Sequence, residues 1–171
     1  MPYNECELDA ALSNARGGAA VSDATDPPAL LSRPLVPVAS EDDAVETCRT
    51  AFPRIAAAGG RPVVVHVIEK AGGAPDKASV EQREGAAEEA FAAIRDCADE
   101  YDLDVETEIR YGTDVVDTIL DAAADLDASA IVFHPRGGSW LLDILTGDVR
   151  DKLVDESDRP VVVLPDSEAD Q

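Results

Sequence analysis

Lysine is nearly missing from this chain. Lys70, Lys77 and Lys152 are the only three in 171 residues, and with the arginines they make 14 basic residues against 36 acidic ones. The resulting net charge of −22 argues against a nucleic-acid binder, because a phosphate backbone would be repelled. Aromatics are also scarce, at 4%, so any core must be built from Val, Ile, Leu and Ala. No apolar run approaches the roughly 18 residues needed to cross a bilayer. The opening MPYNECELDA has neither the basic nor the apolar region of a secretory signal. The expectation is a cytoplasmic protein that does not itself span a membrane. Cysteine is limited to Cys6, Cys48 and Cys97, an odd and widely spaced set that indicates neither a disulfide framework nor a CxxC site. With two histidines in the chain, a metal centre is not expected either. Cys48 and Cys97 fall on apolar helical stripes and read as buried thiols acting as small hydrophobes.

What is present is 45% hydrophobic residues, too many for a disordered acidic chain. A folded domain with an acidic, lysine-poor surface suits a high-salt cytoplasm, where the Debye length falls to about 3 Å and self-repulsion is screened. Residues 1–32 carry no sustained period and read as an acidic, flexible tail able to dock through Leu30 and Leu31. The domain is expected over 33–166, with a short tail at 167–171.

Within it, PLVPV (Pro34 to Val38) reads as a strand, with Pro37 inside it as the one local objection. Ser40 with Asp43 resembles a capping box before a helix whose apolar face is Val45, Cys48, Phe52 and Ile55. Pro53 should kink that helix. PVVVHVIE is apolar on both faces, as a central parallel strand should be. A long helix from about Ser79 to Tyr101 carries Ala87, Ala90, Phe91, Ile94, Cys97 and Ala98 on one stripe. Leu103, Val105, Thr107 and Ile109 alternate with acidic partners, which predicts an edge strand with one wet face. Thr113 is expected to cap a helix bearing Val116, Ile119, Leu120, Ala123 and Leu126. ASAIVFH is a second two-faced strand. A helix from about Asp148 to Glu156 then leads to the final strand in RPVVVLP. Strict β-α alternation predicts a parallel sheet with right-handed crossovers and helices on both faces. Ligands of such sheets sit beyond the carboxyl ends of the strands where the strand order reverses. That directs attention to the loops after Val38 and after His134.

The second loop, HPRGGSWLLDILTGDV, has the glycines of an anion site ahead of a helix N-terminus, and Arg136 could add a bidentate contact. RGG in a βα loop is equally ordinary turn chemistry. A hydrolase built on His134 and Ser139 is disfavoured because no acidic orienter is placed and the turn is not a nucleophile elbow. His66 reads as a core histidine with one satisfied nitrogen.

Taken together, PLVPV, VVVHVI, RYGTDVVDTIL and RGGSWLLDILTGDVRDKLVDESDRPVVVLP resemble the universal stress protein family from about Arg33 to Pro165. The resemblance implies an adenine nucleotide alpha hydrolase-like, Rossmann-like fold: a five-stranded parallel sheet in order 3-2-1-4-5. It also implies a homodimer joined through the last strand (Val161, Val162, Val163, Leu164), and either an ATP-binding or a non-binding branch. The ATP-binding branch resembles G-x-x-G, nine residues, then G followed by Ser or Thr, with an Asp closing the first strand. Here Gly137 and Gly147 match the second and third glycines, while His134 stands at the first, Asp148 at the Ser/Thr position and Ala39 at the Asp position. Val38, Ala39, Val67, His134, Arg136, Gly137, Gly147, Asp148 and Val149 are thus the candidate nucleotide site, with no catalytic residue. Asp148 would cap the last helix and oppose a triphosphate. The expectation is a stress-response interaction module with lost or weakened binding of ATP and Mg²⁺, acting on an unidentified protein partner. The alternatives are an adenylate-binding sensor, with weak ATPase activity still open, or a regulatory partner of a membrane transporter.

Overall fold

A computed structural model describes residues 29–70, 79–134 and 147–164. Five strands and four helices alternate: β1 (Pro34–Pro37), α1 (Glu41–Ala57), β2 (Val63–Glu69), α2 (Val80–Glu100), β3 (Glu106–Gly112), α3 (Val115–Asp125), β4 (Ala130–Phe133), α4 (Gly147–Glu156) and β5 (Val161–Val163). The sheet is parallel throughout, in the order β3-β2-β1-β4-β5. The order and the fold class are those expected from the sequence.

Residue alternation along the central strands divides the core in two. Val36, Val38, Val64, Ala130 and Val132 face α1 and α2, packing on Phe52, Ile55, Phe91 and Ile94. Leu35, Val63, Val65, Ile131 and Phe133 face the other way, onto Val116 and Ile119 of α3 and Leu153 of α4. Both faces of β1, β2 and β4 are therefore dry, which explains their continuous apolar runs. β3 lies at the edge with half-exposed residues through most of its length, as its alternating sequence predicts.

Three local expectations need correction. The objection from Pro37 does not hold, since Pro34–Pro37 forms β1, the middle strand of the sheet. The Val38 N–H donates to the Val65 carbonyl at 2.9 Å, so by alternation the Pro37 nitrogen faces β4 instead of β2. Pairing with β4 runs through Pro34 and Leu35, so no ladder bond is lost at the proline. The cap of α3 is Asp114, not Thr113: its carboxylate accepts the Asp117 N–H at 3.0 Å. A carboxylate there also meets the helix dipole and the ammonium of Lys152, 3.2 Å away. The third correction concerns Cys48 and Cys97, which form a disulfide with their Cα atoms 6.5 Å apart. Each cysteine does lie on the apolar stripe expected for it, and the two stripes face each other. α1 runs unbroken past Pro53.

The segment before β1 is tied to the base of the sheet. The Ser129 hydroxyl donates to the Leu30 carbonyl at 2.9 Å, and Leu31 packs against the α1–α2 core. Gly60 makes this docking possible, because a Cβ there would stand 1.9 Å from the Leu31 carbonyl oxygen. Since that neighbour is backbone, it cannot rotate away. Gly60→Ala should cost about 2 kcal/mol of stability, the range of an overpacked site, read as a lowered urea midpoint with an unchanged slope. An unaltered midpoint would mean that residues 29–32 are not held as described.

Candidate functional site

The rim formed by the carboxyl ends of β1, β2 and β4 gathers four of the nine candidate residues. The register pairing Leu35 with Ile131 sets Val38 level with His134, and that pairing Leu35 with Val63 sets Ala39 level with Val67. Val38, Val67 and His134 are buried, whereas Ala39 is half-exposed at the rim. Gly147, Asp148 and Val149 form the first turn of α4, so Asp148 lies one residue inside the helix and is not its cap. Arg136 and Gly137 lie outside the described residues, as do Ser139 and most of the glycine-rich loop.

At Ala39 the geometry adds something that the sequence reading did not anticipate. Ser40 caps α1 by accepting the Asp43 N–H at 3.3 Å, as its spacing suggests. The reciprocal half of a capping box would return the Asp43 carboxylate to the Ser40 N–H. It goes one residue further instead, and its Oδ2 accepts the Ala39 N–H at 2.9 Å. Asp43 is only 5% exposed, and burial pushes its carboxyl up to about 6 against the opposing hydrogen bonds from Ala39 and Thr47. A buried carboxylate with a raised pKa at the switch point of an α/β sheet marks a candidate functional group. Sequence reasoning placed Asp43 as the capping-box partner of Ser40 and missed this role. The one available signal was that the residue three beyond the cap is an Asp, too short to close the usual box.

His66 is buried edge-on against Phe91, with ring centroids 6.5 Å apart. Burial lowers its pKa, partly offset by a hydrogen bond to the Val38 backbone, and Nδ1 has no hydrogen-bond partner. It is the core histidine with one satisfied nitrogen that the sequence suggests. Among the described residues no group of three or more His, Cys, Asp or Glu could hold a metal ion, and no helix is long and apolar enough to cross a membrane.

The universal stress protein family model matches residues 32–165. No curated protein matches the chain. Among solved structures, a universal stress protein family member from Burkholderia pseudomallei superposes with a TM-score of 0.60 at 22% identity, covering 81% of this chain and 99% of that one. The universal stress protein of Archaeoglobus fulgidus superposes at 0.57 and 22% identity, covering 77% and 92%. A structure of the universal stress protein from Archaeoglobus fulgidus in complex with dAMP gives 0.55 at 22% identity, covering 78% and 98%. At these identities the superpositions establish the shared fold.

Proposed function

This chain belongs to the universal stress protein family, and on that premise we propose that it is a dimeric, cytoplasmic stress-response module that works through protein contacts and has lost or weakened nucleotide binding. The observation that carries this reading is the end of β1. Ala39 supplies no side-chain acceptor, and its N–H is held by the buried Asp43 carboxylate. Asp148 adds a second negative charge in the first turn of α4. Two unit charges 4 Å apart repel by about 1 kcal/mol even at the dielectric of water. ATP would also lack the acceptor that the family pattern places at Ala39. β5 lies at an edge of the sheet, with Val163 37% exposed, and such an edge is suited to pairing with a second copy through Val161, Val162, Val163 and Leu164. The charge of −22 favours a high-salt cytoplasm as the working medium.

The second reading, an ATP or adenylate sensor, draws support from the dAMP complex of the structural neighbour and from a further neighbour solved with cAMP. Calorimetric titration of ATP, ADP and AMP with Mg²⁺ in molar KCl separates the two. The expected result is no heat for wild type, and measurable ATP binding for a variant combining Ala39→Asp and Asp148→Ser. A sub-millimolar dissociation constant for wild type would establish the sensor and discard the interaction-only reading.

A further inference from the structure

We infer that the Cys48–Cys97 disulfide is a thiol–disulfide exchange centre, entered at Cys97 from the cleft between α1 and α2, that discriminates against anionic thiols. The two sulfurs are unequally placed. Cys48 is 0% exposed, inside the α1–α2 core with Phe52, Phe91 and Ile94. Cys97 is half-buried and lines a cleft of about 540 Å³ on the outer side of the two helices. Apart from Cys97, the apolar lining is small: Val45, Ala92 and Ala93. The charged lining consists of Glu41, Glu89, Asp96 and Glu100 against Arg49, whose guanidinium also pairs with Glu46 at 3.3 Å. A reagent entering this cleft therefore meets sulfur and a strong excess of carboxylate.

The chemistry is a pair of exchanges. An incoming thiolate attacks Cys97 Sγ, forming a mixed disulfide there. The Cys48–Cys97 bond breaks, and Cys48 Sγ leaves with the bonding electrons and takes up a proton. A second thiolate attacks the reagent sulfur of the mixed disulfide, expelling Cys97 as thiolate and yielding the reagent's own disulfide. Two electrons have then passed from two thiols to the protein, and a small-molecule disulfide runs the sequence in reverse. Attack depends on access as well as on thiolate character, and only Cys97 lines an open cleft. The acidic rim lowers the local concentration of an anionic thiolate relative to one whose remaining group is neutral or cationic.

The test compares cysteamine, 2-mercaptoethanol and 2-mercaptoethanesulfonate on protein first equilibrated with excess oxidised dithiothreitol. After oxidation, one thiol of the three cysteines should titrate, that of Cys6. Rates normalised to thiolate concentration, followed by mass, should fall about tenfold from the neutral to the anionic reagent in 0.1 M KCl, the size expected for three net charges several ångströms away. In 2 M KCl the difference should shrink below twofold. Peptide mapping should place the trapped adduct on Cys97. Replacing Glu89→Gln and Asp96→Asn should restore the anionic rate at least threefold, while Asp155→Asn with Glu156→Gln on α4 should leave it unchanged. Three titrating thiols after oxidation, an adduct on Cys48, equal rates for the three reagents at low salt, or a rate independent of thiol concentration would each overturn the inference. The last outcome would mean that reduction waits for unfolding.

Discussion

Reduction of the Cys48–Cys97 disulfide lowers the free energy of unfolding by about 4 kcal/mol in urea melts run with and without excess dithiothreitol. The figure follows from the sequence separation of 49 between the two cysteines, because a cross-link of that span removes loop-closure entropy from the unfolded chain. The native side should change little. Cys48 keeps its apolar neighbours whether oxidised or reduced, and a buried thiol packs as a small hydrophobe. A variant with Cys48→Ala and Cys97→Ala should be insensitive to the reductant, which separates the cross-link from any effect on Cys6. Superimposable melts for wild type, despite an increase to three titrating thiols, would show that the unfolded chain is already compact enough for the cross-link not to matter.

The second large effect belongs to Asp43. Its carboxyl titrates at about 6 in the folded protein, against an ordinary value of 3.8. A group whose pKa rises on folding adds stability that is complete below the unfolded value and is lost as pH climbs through the folded one. Asp43 therefore favours the folded state below about pH 4 and surrenders that contribution between pH 4 and 6. A shift of this size corresponds to about 3 kcal/mol between the two limits. Asp43→Asn keeps an oxygen for the Ala39 N–H but carries no charge, so it should match wild type near pH 4 and exceed it by up to about 3 kcal/mol at pH 7.5. The difference between the two proteins at each pH is the quantity to measure, since the net charge of −22 gives both a pH dependence of their own. A difference that stays flat from pH 4 to 7.5 would mean that Asp43 is solvated and ordinary. A confirmed difference would mean that the domain maintains an unfavourable buried carboxylate at the rim where its relatives' pattern places a ligand acceptor. The calorimetric titrations would then be repeated on Asp43→Asn.

Much of the fold is legible in the residues themselves. PVVVHVIE and ASAIVFH are largely apolar on both faces, as strands inside a sheet covered on both sides must be. LDVETEIRYG alternates and lies at an edge. The stripe through Val45, Cys48, Phe52 and Ile55 is the face that α1 turns inward, although Val45 itself stays half-exposed at the cleft. Of the candidate site, the strand ends could be read from the sequence, and the register sets Val38 and Ala39 level with His134 and Val67 at the sheet's carboxyl rim. Asp43 emerged only from the folded geometry.

The sequence by itself determined the kinds of element, their alternation and the parallel sheet, because periodicity and turn chemistry act over a few residues and are written locally. Tertiary structure decided what meets what. Strands 1, 2 and 3 advance in one direction across the sheet, so right-handed crossovers put α1 and α2 on the same face, while α3 and α4 return on the other. Only that placement turns two separate apolar stripes toward each other and joins Cys48 to Cys97 across 49 residues of chain. The same holds for Pro37, tolerated in the middle strand because its missing N–H faces beyond the end of the β4 pairing. It holds again for Asp43, whose carboxylate finds the Ala39 N–H only once the end of β1 and the first turn of α1 are set against each other. Each depends on positions in space that no local pattern encodes.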